Sequence, residues 1–288
     1  MTGTSEKLDE SGIGIVGVGL IGGSIAAALK KSGYTGKIVG FGRNAERLRK
    51  AQSLGLLTEF STDPDSASLR DVSLIVICTP VDRIVEDVRQ FADSATPGTI
   101  ITDAGSVKAS LCDELQNLSS SKVSFIGSHP LAGSEKNGFE HADADLFQDR
   151  LCFITPHKET PTNQVARVEN FWTKLGMNLH QVSPDEHDRL MSVTSHAPHL
   201  IASALAMLLE DDFKPFTGTG FQDTTRIASG NPALWRAILM HNREQLSASL
   251  VKFSENLREM SDAIEQGNDQ KLEQLLELAK THRDSLVS

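Results

Sequence analysis

Residues 13–22 read Ile13-Gly14-Ile15-Val16-Gly17-Val18-Gly19-Leu20-Ile21-Gly22. A short apolar run with β-branched residues ends in a GxGxxG loop. The loop opens a helical pattern over 20–31, and a second strand pattern follows at 37–42. Each glycine has a job in such a turn. Gly17 permits the tight bend, Gly19 lets the backbone approach a pyrophosphate, and Gly22 lets the helix pack closely on the strand. The helix start then offers free N–H groups and a positive dipole end to phosphates. Gly17, Gly19, Leu20, Ile21 and Gly22 are therefore candidate dinucleotide ligands.

Outward from this loop, strand patterns recur at 74–78, 99–103 and 123–126, with helical patterns at 45–54, 81–91 and 107–118 between them. Further strands are expected at 152–155 and 177–182. Strands alternating with helices imply βαβ units and a parallel sheet. The run Leu74-Ile75-Val76-Ile77-Cys78 is apolar throughout, as a strand covered on both faces should be. The expected fold is a Rossmann-type doubly wound α/β sheet followed by an all-α helical dimerisation domain.

The change comes at Ser183. Ser183-Pro184-Asp185-Glu186 places an N-cap serine, a proline at the first helical position and a glutamate three residues after the cap. Leu190, Val193, Ala197, Leu200, Ile201, Ala204, Leu205 and Leu208 then follow helical spacing. Leu246, Leu250, Phe253, Leu257, Met260 and Ile264 are spaced 4-3-4-3-4, the stripe of a helix packed along a long partner. A last helix is expected over 269–286. The division is drawn at residue 182, giving a dinucleotide-binding unit over 1–182 and a helical unit over 183–288. Residues 1–11 are expected to be a disordered lead-in. The stripe could close a bundle within the chain or pack on a second copy; the homodimer is the favoured reading.

The chain of 288 residues carries 28 basic and 38 acidic side chains, a net charge of −10. That balance argues against nonspecific nucleic-acid binding and against attraction to an anionic membrane surface. Residues 1–182 contribute −4 and residues 183–288 contribute −6. No apolar run suits a bilayer span. The cysteines Cys78, Cys112 and Cys152 show neither metal spacing nor a disulfide framework, so a cytoplasmic setting without a metal is expected.

The end of the second strand bears on the choice of nucleotide. An acidic residue there would accept from a ribose 2′-hydroxyl. The sequence has Phe41-Gly42-Arg43-Asn44 instead. Gly42 removes a carboxylate and Arg43 can pair with a 2′-phosphate, so NADP is preferred over NAD. Thr79 and Pro80, just past the 74–78 strand, are further cofactor-binding candidates.

Three more clusters stand out: Thr102-Asp103-Ala104-Gly105-Ser106-Val107-Lys108; Gly127-Ser128-His129-Pro130-Leu131-Ala132-Gly133-Ser134-Glu135-Lys136; and, in the helical half, Ser195-His196-Ala197-Pro198-His199 with Phe221-Gln222-Asp223-Thr224-Thr225-Arg226-Ile227-Ala228 and Pro232-Ala233-Leu234-Trp235. In this order they resemble the signatures of the prephenate/arogenate dehydrogenase family. The resemblance covers nearly the whole chain after the first dozen residues, and the His129–Gly138 block is its most specific part.

The resemblance implies an NAD(P)-dependent oxidative decarboxylation of prephenate or arogenate that leaves an aromatic ring. It implies His129 as acceptor of the ring hydroxyl proton, a task suited to neutral imidazole of ordinary pKa. Ser106 would hydrogen-bond His129 or the substrate hydroxyl. Arg226 would grip a substrate carboxylate with its planar fork, oriented by an ion pair with Asp223. His199 would contact the side-chain carboxyl, with Ser195 one helical turn earlier. Ser134 and Glu135 would border the substrate, and Trp235 would pack near the pocket. Gln222 departs from the basic residue usual before this aspartate. His196 is read as structural, and Lys108, Lys136 and His187 are given no catalytic part. Tyrosine feedback, where it operates, is expected at or near the active site.

Overall fold

The computed structural model describes residues 11–65, 67–120, 122–134 and 136–286. The expected lead-in lies almost wholly outside them. Eight strands form one sheet in the order β3-β2-β1-β4-β5-β6-β7-β8. They are β1 Gly12–Val16, β2 Ile38–Phe41, β3 Glu59–Ser61, β4 Val72–Ile77, β5 Ile100–Asp103, β6 Ser124–Pro130, β7 Leu151–Thr155 and β8 Asn178–Gln181. The first six pair in parallel in the doubly wound order 3-2-1-4-5-6. β7 runs antiparallel to β6, and β8 is parallel to β7.

The helices of this half are α1 Leu20–Lys31, α2 Ala45–Ser53, α3 Ile84–Ser94, α4 Ala109–Leu115 and α5 Thr162–Lys174. They cover both faces. One layer of core centres on Ile13, Ile15, Val76, Phe147 and Trp172, the other on Phe41, Ile75, Ile77, Val88 and Leu111. β4 is buried almost throughout, as its unbroken apolar run requires.

The remainder is helical: α6 Pro184–Met191, α7 Ala197–Ala206, α8 Thr219–Thr225, α9 Pro232–His241, α10 Arg243–Glu265 and α11 Asp269–Asp284. Ser183 caps α6, its hydroxyl accepting from the Glu186 N–H at 3.2 Å. Glu186 does not complete a reciprocal box; its carboxylate takes a bidentate pair from Arg189 at 2.7 and 2.8 Å. A π-helical turn, Ser192–His196, joins α6 to α7. It turns Val193 outward, where it is 58% exposed, against the inward place expected from simple helical spacing. No described helix is long and apolar enough to cross a membrane.

Candidate active site

The glycine loop follows β1 directly. Gly17 has φ +87°, a conformation that favours glycine, and its N–H donates to the Phe41 carbonyl at 2.9 Å. A Cβ on Gly22 would stand 2.4 Å from the Gly17 carbonyl oxygen and 2.9 Å from Ile15. Gly19 differs: among the described residues nothing lies within 4 Å of where its Cβ would point. Among the described residues no side chain caps α1, and its first turn, which contains Leu20 and Ile21, holds no acidic residue. An open backbone approach beside uncapped amides fits a dinucleotide pyrophosphate. Thr79 and Pro80 continue from β4 on the other side of the loop. The Thr79 methyl comes within 3.0 Å of the Gly17 Cβ position. Its hydroxyl donates to Asp87 at 2.6 Å.

At the end of β2, Phe41 is buried and Gly42 leads into exposed Arg43. Asn44 caps α2, accepting from the Arg47 N–H at 3.0 Å. Arg47 and Lys50 both pair with Glu140, at 3.6 and 3.2 Å. Arg43 has no ion-pair partner among the described residues.

The carboxyl ends of β5 and β6 carry the second part. Asp103 and Lys108 form a fully buried ion pair. Asp103 also accepts the N–H groups of Gly105 at 2.9 Å and Ser128 at 3.0 Å. Successive strand residues face opposite ways. Ser128 therefore turns toward α5, where Trp172 Nε1 donates to its hydroxyl at 2.9 Å. His129 turns toward α6. Its Nδ1 lies 2.8 Å from His187 Nε2, and His187 Nδ1 lies 2.7 Å from Asp188 Oδ1. The Asp188 carboxylate also accepts the Lys108 N–H at 2.8 Å and the Ala109 N–H at 2.9 Å, capping α4.

Burial pushes the His129 pKa well below the ordinary imidazole value, and the neighbouring His187, Lys108 and His196 oppose a second cation there. The expectation of an ordinary pKa for His129 is thus corrected: the ring is 8% exposed, and desolvation disfavours its cation. His187 is also lowered by burial, partly offset by its hydrogen bond to Asp188. Ser106 is half-buried between β5 and α4. It forms no hydrogen bond to His129 among the described contacts; the neighbour of that ring is His187.

On the helical side, His199 stacks on Trp235, with ring centroids 3.6 Å apart and planes at 12°. A Cβ on Gly230 would meet Trp235 Nε1 at 2.2 Å, so glycine is what lets the indole sit there. His196 is buried, and its Nδ1 accepts from Asn242 Nδ2 at 2.9 Å. The same amide donates to the Asp188 carbonyl at 2.8 Å. Burial pushes the His196 pKa down to about 4 and lowers that of His199. His196 Nε2 and His199 Nδ1 are buried without a hydrogen-bond partner among the described residues. Ser195 is half-buried on the π turn.

Asp223 and Arg226 are both exposed and form no ion pair with each other, against the expected pairing. The reason is local. α8 stops at Thr225 and Arg226 begins a 3-10 turn, so the regular helical offset between them is broken. Ser134 is exposed in the β6–β7 loop, its hydroxyl accepting from the Lys136 N–H at 3.2 Å. Glu135 lies outside the described residues.

His187, given no catalytic part by its sequence context, and Asp188, which no motif marks, join the site through α6. Their signal was the cap itself: Ser183-Pro184 fixes the start of α6 and so places both in its first two turns.

Two family models match the chain: "Prephenate dehydrogenase, nucleotide-binding domain" over residues 25–181, and "Prephenate dehydrogenase, dimerization domain" over residues 183–280. A prephenate dehydrogenase of Bacillus subtilis is 33% identical over 282 residues, covering 94% of this chain and 75% of that one. A cyclohexadienyl dehydrogenase of Zymomonas mobilis is 33% identical over 278 residues, covering 93% and 94%. Among solved structures, prephenate dehydrogenase from A. aeolicus in complex with hydroxyphenyl propionate and NAD+ superposes with a TM-score of 0.89 at 32% identity. It covers 98% of this chain and 100% of that one.

Proposed function

Because the chain belongs to the prephenate dehydrogenase family and is an NAD(P)-dependent oxidoreductase, we propose that it converts prephenate to 4-hydroxyphenylpyruvate and CO2 in tyrosine biosynthesis. The observation that carries this reading is buried His129, set at the carboxyl edge of the sheet that also bears the glycine loop. Its depressed pKa leaves the ring unprotonated at neutral pH, the state needed to accept a proton.

Gly17, Gly19, Leu20, Ile21, Gly22, Thr79 and Pro80 hold the dinucleotide in this reading, and Gly42 with Arg43 favours NADP. When bound there, the nicotinamide would supply the acceptor for the hydride leaving C4 of the ring. His129 takes the C4 hydroxyl proton as the carbonyl forms. Loss of CO2 sends its electron pair into the ring, and the resulting phenolate oxygen regains a proton. Ser106 orients the hydroxyl. Arg226 holds one substrate carboxylate and His199, braced flat against Trp235, the other. Asp223, Ser195, Ser134 and Glu135 border the substrate.

A second reading keeps the chemistry and changes the substrate. The cyclohexadienyl dehydrogenase name of the Z. mobilis relative supports arogenate as an alternative, with tyrosine as product.

The helical half is proposed to pair with a second copy. A groove of about 860 Å³ lies open along α7, α9 and α10, lined by His199, Trp235, Leu246 and Leu250. The three cysteines are free thiols, which supports a reducing compartment such as the cytoplasm.

Steady-state kinetics with prephenate and arogenate, each with NAD and NADP, tests the reading. The highest kcat/KM is expected for prephenate with NADP. His129→Asn should lose turnover by at least about 100-fold and still bind the dinucleotide. Turnover near the wild-type rate in that variant would remove His129 from the mechanism.

A further inference from the structure

The hydrogen bonds around His129 define which of its nitrogens carries the proton. Asp188 accepts backbone N–H groups on both oxygens, one from Lys108 and one from Ala109. It therefore faces His187 as an acceptor, and His187 must donate through Nδ1 across 2.7 Å. A neutral imidazole has one donor and one acceptor. His187 Nε2 is then a bare lone pair, 2.8 Å from His129 Nδ1. Only a protonated Nδ1 on His129 makes that contact a hydrogen bond. Its Nε2 consequently carries the free lone pair, with no partner among the described residues.

We propose that His187 and Asp188 are positioning residues that fix His129 in the Nδ1–H tautomer, presenting Nε2 to the substrate hydroxyl. This rests on the reading of His129 as the proton acceptor. The two residues come from α6, in the helical half, whereas His129 sits on β6 of the sheet. Asp188 also ties down the start of α4, just after the Ser106 turn. One carboxylate thus sets the base and anchors the neighbouring loop. The groups facing His129 are His187 from α6, Lys108 from the β5–α4 turn and His196 from the π turn. None of these offers Nδ1 another acceptor within the described contacts.

Two variants separate tautomer control from simple packing. In His187→Leu the acceptor is gone; in His187→Gln the amide oxygen can take the place of Nε2. We expect kcat to fall about 100-fold in His187→Leu, with the substrate KM changed less than about threefold and most of kcat restored in His187→Gln. The full-length protein with 15N-labelled histidine rings gives a second readout, the His129 signals being assigned by their loss in His129→Asn. Near neutral pH, His129 Nε2 should show a pyridine-type shift in the wild type and a mixture of both tautomers in His187→Leu. An Nε2–H tautomer in the wild type overturns the proposal. So does an unchanged kcat in His187→Leu, or a loss that His187→Gln fails to restore. If His129→Asn keeps its turnover while the tautomer is as stated, the proton-acceptor reading fails and the tautomer assignment stands.

Discussion

Arg43 stands two positions past the end of β2, and the other cations nearby are engaged. Arg47 and Lys50 share Glu140, while Arg43 is exposed and without an ion-pair partner among the described residues. A phosphate on the ribose would find this guanidinium available for bidentate contact. Gly42 offers the matching test from the other direction. Its Cβ position has nothing nearer than the Leu48 side chain at 3.7 Å, so a carboxylate can be placed there without steric cost. Gly42→Asp should raise the KM for NADP at least about tenfold, a penalty of about 1.4 kcal/mol, and leave that for NAD equal or lower. Arg43→Ala should weaken NADP and spare NAD. Kinetics with both nucleotides checks this; an NADP-to-NAD ratio unchanged in both variants would show that the 2′-phosphate lies elsewhere.

At the scale of elements, α10 shows what a single chain leaves unfinished. Of its expected stripe, Leu246 is buried, but Leu257 is 56% and Ile264 65% exposed. α11 adds Leu276 and Leu278, both more than half exposed. Apolar area is worth roughly 25 cal/mol per Å² when covered, so these residues account for a surface that a second copy would bury. Leu257→Glu should shift the protein toward monomer in sedimentation velocity, with kcat/KM falling alongside. A dimer of unchanged stability would place the interface off α10. The sequence already carried much of this architecture. α1 is found over the expected range, and the apolar run of β4 declares itself because both of its faces are buried. β3, only three residues and partly exposed, has no such run to betray it. α5 is likewise unexpected from the sequence, although Val165, Val168, Phe171 and Trp172 make one buried face. His129 was legible through its motif. Its partner His187 is 58 residues away, and no local period encodes a contact made only when α6 docks on the sheet.

That docking concentrates titratable rings in the interior, and the whole molecule should register it as a pH-dependent stability. His129, His187, His196 and His199 all have pKa values lowered by burial. In the unfolded chain they return toward the ordinary value near 6.5. Between their folded values and pH 6.5 the unfolded state therefore binds more protons, and stability rises with pH. The contribution is complete above about pH 6.5 and is lost as pH falls through that window, which for His196 extends to about 4. His196 alone accounts for roughly 3 kcal/mol across it. Thermal unfolding should give a Tm that is flat from about pH 7 to 8 and falls between about pH 6.5 and 5, above the range in which most carboxylates titrate. His196→Asn preserves an acceptor for Asn242 and removes the titration, so its Tm should fall less steeply over the same interval. Identical slopes for wild type and variant would mean that His196 keeps its ordinary proton affinity in the fold, and that the ring is more accessible to water than its 1% exposure indicates.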